Sequence, residues 1–153
     1  MVRTVARTER VDLKKVDEVS FVYKLAYAAI LEGQVVSLGA TNGVVIPCTA
    51  ETIPYGVALN GVTAAAIAAY VAETKGADSI EVIVAHEGRT RVLGGEELTA
   101  NMWVSVDANG RVVQGTPATE ELIGWTESAC AGDGYQCTIF IHRIPAADYA
   151  PAE

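Results

Sequence analysis

Two histidines, three cysteines, two adjacent glutamate pairs and two tryptophans are the side chains here with the chemistry for a reaction or a ligand. Nucleophilic catalysis needs a Ser, Cys or Thr beside a base that a third group orients, and His86 and His142 are the only imidazoles to serve as that base. His86 adjoins Glu87-Gly88 and reads as an exposed turn residue, while His142 ends an alternating apolar stretch and reads as a rim residue. Cys48, Cys130 and Cys137 are odd in number and lack a C-x-x-C spacing, which excludes a complete disulfide framework and leaves no zinc pattern. They read as buried, reduced thiols, with a Cys130–Cys137 bridge across a hairpin as the alternative.

Glu96-Glu97 and Glu120-Glu121 are sequence neighbours. On a strand, adjacent carboxyls point to opposite faces rather than share a proton, so both pairs read as solvated loop charges. Asp107-Ala108-Asn109-Gly110 resembles the opening of a calcium loop, but the later ligands are missing and a hairpin turn explains it. There is no G-x-x-x-x-G-K-[ST], and the glycines are scattered through turns rather than opening a helix. The expectation is no catalytic residue, no metal, no cofactor and no enzyme. Trp103 and Trp125 suit a sugar-binding or partner surface, yet large aromatics on strands are more often core or subunit contacts.

The elements that must carry these residues are mostly strands. Phe21, Tyr23, Leu25 and Tyr27 alternate with period two, which places a strand within residues 16–30. Residues 34–38 and 44–46 are short strands separated by the Asn42-Gly43 turn, and residues 55–59 form another, ended by Asn60-Gly61. Residues 62–75 are the one clear helix. Alanine is frequent there, Ile67, Tyr70 and Val71 recur at helical spacing to pack on the sheet, and Gly76 follows as a C′ residue. Three hairpins follow: residues 80–85 with 89–93 about Glu87-Gly88, 102–106 with 111–114 about Asn109-Gly110, and 123–130 with 135–142 about Gly132-Asp133-Gly134. Cys137, Ile139 and Ile141 fall on one face of the last strand, opposite Gln136, Thr138, Phe140 and His142. Turns at such short intervals predict a mainly β fold, a small β-barrel or β-tulip-like domain with one short α-helix.

At 153 residues, 50% of them hydrophobic and 20% charged, the chain has the length and apolar content of one globular domain. The longest apolar stretch, residues 62–72, is interrupted by Thr63 and is far short of the roughly 20 residues that span a bilayer. No apolar run follows the early basic residues, so a secretory signal is not expected. The net charge of −8 disfavours nucleic acid as a partner, because phosphate binding needs clustered cations. That charge is uneven: five basic and two acidic residues give the first fifteen positions +3 and leave −11 for the rest. The organisation expected is a basic arm over 1–15, a β-rich body over 16–144 and a short tail over 145–153.

The order of these pieces resembles the bacteriophage capsid decoration, or cement, proteins. The likeness runs through Glu32-Gly33-Gln34-Val35-Val36, Tyr55-Gly56-Val57-Ala58-Leu59, a β-hairpin over 80–93, the Val104-Ser105-Val106 to Arg111-Val112-Val113 hairpin and Leu122-Ile123-Gly124-Trp125-Thr126 leading to residues 137–141. It covers about residues 26–144, and the basic arm and the alanine-rich helix depart from the shorter members. The resemblance implies a homotrimer, made in the host cytoplasm, that seats on the outer surface of the head and clamps the major capsid protein. On that reading Arg3, Arg7, Arg10, Lys14 and Lys15 meet acidic capsid patches, and Trp103 and Trp125 belong to the trimer or partner surface. A tail or fibre-base module, and a small carbohydrate- or ligand-binding barrel, are the alternatives.

Overall fold

A computed structural model describes residues 19–74 and 79–145. The arm over 1–15, the tail beyond Pro145 and Gly76 lie outside the described residues. Among the described residues nine strands and one helix follow in chain order: β1 (Val19–Ala26), β2 (Val35–Leu38), β3 (Val45–Pro47), β4 (Gly56–Ala58), α1 (Ala64–Glu73), β5 (Ile80–Leu93), β6 (Trp103–Val106), β7 (Val112–Gln114), β8 (Leu122–Thr126) and β9 (Gln136–Ile144). The strands form one antiparallel sheet in the order β3-β2-β4-β5-β9-β8-β6-β7, with β1 also paired to β5. A bridge between Leu25 and Val44 draws β1 toward β3, and another between Gly94 and Val112 draws the end of β5 toward β7. The sheet thereby curls into a half-barrel, and the fold is the mainly β one expected.

Two hairpins differ from the expectation. Residues 80–93 are a single strand, not two strands about Glu87-Gly88. A two-residue return needs backbone twisted into the left-handed region, and here only Gly88 goes there, with φ +88°. The chain bends instead of reversing. Ser20 faces Glu87 while Phe21 faces Ala85, so His86 is the extra residue of a β-bulge. The bend lets β5 exchange partners: its first half lies against β1 and β4, its second half against β9 from Gly88–Ile141 to Leu93–Gln136. The last hairpin has a longer return, because the β8 ladder ends at Thr126 and Cys130 pairs with Leu98 instead. The middle hairpin is as expected: Asp107 Oδ1 accepts from the N–H groups of Asn109 (2.8 Å) and Arg111 (3.0 Å), and Gly110 takes φ +75°.

The core is double, with a wall between its halves. Val35, Val57 and Ala85 belong to the larger cluster, with Val92, Val104, Ile139 and Ile141. Their immediate neighbours Val36, Ala58 and Val84 belong to a second cluster, with Ile30, Val45 and Val82. Successive strand residues point to opposite faces, so β2, β4 and the middle of β5 are covered on both sides. This is why these segments read as continuous apolar runs rather than as alternating ones. The helix closes one end of the second cluster. Thr63 caps it, its side chain accepting from the Ala66 N–H at 3.0 Å. The expected apolar stripe is narrower than predicted: Ile67 is buried, but Tyr70 and Val71 are 42% and 36% exposed.

Candidate interaction surface

On β9, Cys137, Ile139 and Ile141 are buried, so Phe140 and His142 stand on the outer face, as the alternation predicts. Residues directly opposite in a ladder share a face, and the registers align a row across four strands. Trp103 faces Trp125, Trp125 faces Phe140, and Phe140 faces Arg89. The indole rings meet edge to face at 5.3 Å, and Trp125 stacks on Phe140 at 4.8 Å with an interplanar angle of 14°. His142 tilts against both indoles at 6.4 and 5.7 Å. Arg89 lies 6.0 Å from the Phe140 centroid, and its Nε donates to Glu127 at 3.1 Å. Both tryptophans are half-buried, so they are neither core nor free. A sugar platform needs ring faces open to solvent. In this row Trp125 is covered on one face by Phe140 and met edge to face by Trp103.

Beside the row is an open groove of about 720 Å³, lined by residues that include Ser20, Ile53, Pro54, His86, Phe140 and Arg143. His86 is half-buried in the β5 bulge and stacks on Tyr55 at 6.1 Å, which corrects its reading as an exposed turn residue. The same Tyr55 ring carries two cations: Arg143 is 5.2 Å and Lys24 is 5.3 Å from its centroid. His142 is exposed on the rim, as expected.

The other chemically capable residues have local structural partners. Cys48, Cys130 and Cys137 are buried and unbridged, as read from their number and spacing. The Cys130 thiol donates to the carbonyls of Gly132 (3.3 Å) and Tyr135 (3.6 Å). Burial, and then the adjacent Cys130 thiol, push Cys137 up to about 12, so it stays protonated near neutrality, where only a thiolate attacks. An unfolded Cys137 loses its proton near its ordinary value of 9.0 while the folded one keeps it. Stability therefore falls as pH rises from about 9 to about 12 and is unaffected by this group below 9. Urea titrations of wild type and Cys137→Ala across that range test this, and the variant should show a shallower alkaline loss. Parallel losses in the two proteins would remove Cys137 from the account.

The glutamate pairs are more than solvated charges. Glu96 accepts from the Gln114 N–H at 2.7 Å. Glu120 accepts from the Thr116 N–H at 2.7 Å and from the Ser105 hydroxyl at 3.2 Å. Among the described residues no three His, Cys, Asp or Glu side chains cluster to hold a metal, and no helix is long and apolar enough to cross a membrane. Arg3, Arg7, Arg10, Lys14 and Lys15 lie outside the described residues.

Sequence reasoning found Trp103 and Trp125 but missed Phe140 as their neighbour and missed the separate gathering of Lys24, His86 and Arg143 on Tyr55. Phe140 was legible as an outward residue of β9. The three groups around Tyr55 meet only through the β1–β5 and β5–β9 pairings and leave no local signal. No protein-family model matches the chain, and no curated protein matches it. Among solved structures it is similar to the head fiber gp8.5 N base of bacteriophage phi29, with a TM-score of 0.59 and 14% identity over 83% of this chain and 97% of that one. At that identity the shared property is the fold: a curled, mainly antiparallel half-barrel.

Proposed function

We propose that this chain is a structural protein of a bacteriophage virion, seated on the outer surface of the head as a homotrimer and stabilising it. The observation that carries the reading is the fold likeness to a phage head-fiber base, which spans nearly all of that structure and most of this chain. The order of strand motifs that resembles the decoration proteins points the same way. The partners on this reading are the major capsid protein and two further copies of the chain, with no enzyme activity and no cofactor. A double-cored sheet gives a rigid mount. Trp103 and Trp125, half-buried on its outer face, offer a trimer or capsid contact, and many symmetric copies supply avidity.

Arg3, Arg7, Arg10, Lys14 and Lys15 are proposed to contact acidic capsid patches, a role motivated by the +3 charge of residues 1–15 against −11 for the remainder. Mixing the purified chain with expanded, undecorated capsids tests this. The full chain should bind at a fixed stoichiometry with an affinity that falls as salt rises, and deletion of residues 1–15 should remove most of both the binding and the salt dependence. Undiminished, equally salt-sensitive binding by the deletion would end the role of the arm. The specific likeness to a fiber base favours a second reading, in which the chain anchors a fiber to the head instead of cementing the shell.

A further inference from the structure

We propose that the groove beside the β5 bulge is a docking site for an extended acidic segment of a partner protein. A carboxylate of that segment sits against Arg143, which lines the groove, with Lys24 on the shared Tyr55 ring adding to the positive potential, and its apolar side chains lie on Ile53, Pro54 and Phe140. The identity of the partner as another virion protein rests on the function proposed above, but the chemistry of the site does not.

The charge pattern carries this inference. Lys24 on β1 and Arg143 on β9 are both drawn to the one Tyr55 ring, at 5.3 and 5.2 Å, and His86 stacks on the same ring. Among the described residues, the ion pairs are Arg89 with Glu127 and Arg111 with Asp133. Neither Lys24 nor Arg143 has a carboxylate partner there. Two like charges gathered on one ring repel each other, and an anion bound beside them offsets that cost. The gathering is also against the average of a chain with net charge −8. Of the groove's lining residues, Glu87 alone is acidic, against Arg143, two histidines and Arg89, whose charge Glu127 meets.

Shape then selects a peptide over a small anion. The volume of about 720 Å³ far exceeds a single ion, and the walls beside the cations are apolar. Ile53 is 65% exposed, an apolar surface that a lone anion would leave wet. An alternating acidic and apolar segment matches both halves of the groove, its carboxylates toward the cations and its apolar side chains on the apolar wall.

The test uses the full chain and three probes: a blocked hexapeptide of alternating aspartate and leucine, its asparagine–leucine counterpart, and inorganic phosphate. The aspartate peptide should shift the backbone amide resonances of Lys24, His86 and Arg143. Its affinity should drop about tenfold or more in the Lys24→Gln/Arg143→Gln protein, whose changes are at the surface and leave the fold intact. The asparagine peptide should bind no better to wild type than to that variant. The inference is overturned if these amides do not respond, if phosphate binds there while the aspartate peptide does not, or if the double variant binds the aspartate peptide as wild type does. Capsid binding by the same full chain is read separately: its absence counts against the virion reading and leaves the peptide result standing.

Discussion

Replacing Gly124 by valine is expected to lower the urea midpoint of the fold severely. On β9 an extra residue sits opposite this point, since Leu122 faces Ile144 while Gly124 faces Ile141. The bulge brings the two backbones so close that a Cβ on Gly124 would overlap the Phe140 carbonyl oxygen, with the Phe140 carbonyl carbon at 2.9 Å and the His142 nitrogen at 3.0 Å. The obstacle is main chain, which cannot rotate away as a side chain would. Overpacking in cores typically costs about 1–3 kcal/mol, and a backbone clash inside a ladder belongs at or beyond the upper end. Set against a total stability of roughly 5–15 kcal/mol, the loss is a large fraction of the margin. It also falls under the Trp103–Trp125–Phe140 row, so the surface fails with the sheet. Urea denaturation followed by circular dichroism measures it. A midpoint within error of wild type would show that β8 and β9 do not approach this closely.

The second large effect is on the wall between the two cores. Val35→Asp and Val36→Asp are each expected to prevent folding, although the two side chains point in opposite directions. Both valines are 0% exposed, and each belongs to a different cluster. An unpaired carboxylate in either costs several kcal/mol after relaxation. Leu38→Asp, three residues on and 54% exposed, is the matched control and should leave the midpoint nearly unchanged. Expression and urea titration of the three variants decide the point. If either wall variant folds with wild-type stability, that face of β2 is wet and the chain has one core, not two.

How much of this could be read from the residues depended on how local the cause was. The β6–β7 turn was legible because Asp107 binds the N–H groups of Asn109 and Arg111 within the same five-residue segment. The buried face of β9 was legible because alternation alone assigns Cys137, Ile139 and Ile141 to one side. Glu87-Gly88 misled, because a bulge and a turn begin with the same residue types. What distinguishes them is that β1 and β9 both pair at Gly88 from distant parts of the chain. The double core was hidden for a related reason: Val35-Val36 and Gly56-Val57-Ala58 look like any short buried strands until their neighbours on both faces are known. In the helix, spacing grouped Ile67 with Tyr70 and Val71 as one packing stripe, but of the three only Ile67 is buried. At the surface, Trp103 and Trp125 were visible as strand aromatics. That they oppose each other in register, and that Lys24, Arg143 and His86 gather on Tyr55, follows from ladders that no sequence window contains.

The central claim, that this chain is a multi-copy structural part of a phage head, is tested most directly by counting it. Virions of the phage that encodes it are purified, and the chain is quantified against the major capsid protein by calibrated mass spectrometry. The account predicts a fixed ratio set by the symmetry of the shell, with copies in multiples of three, lost from the particle when the gene is deleted. Absence of the chain from purified particles, or a variable trace amount, would contradict it.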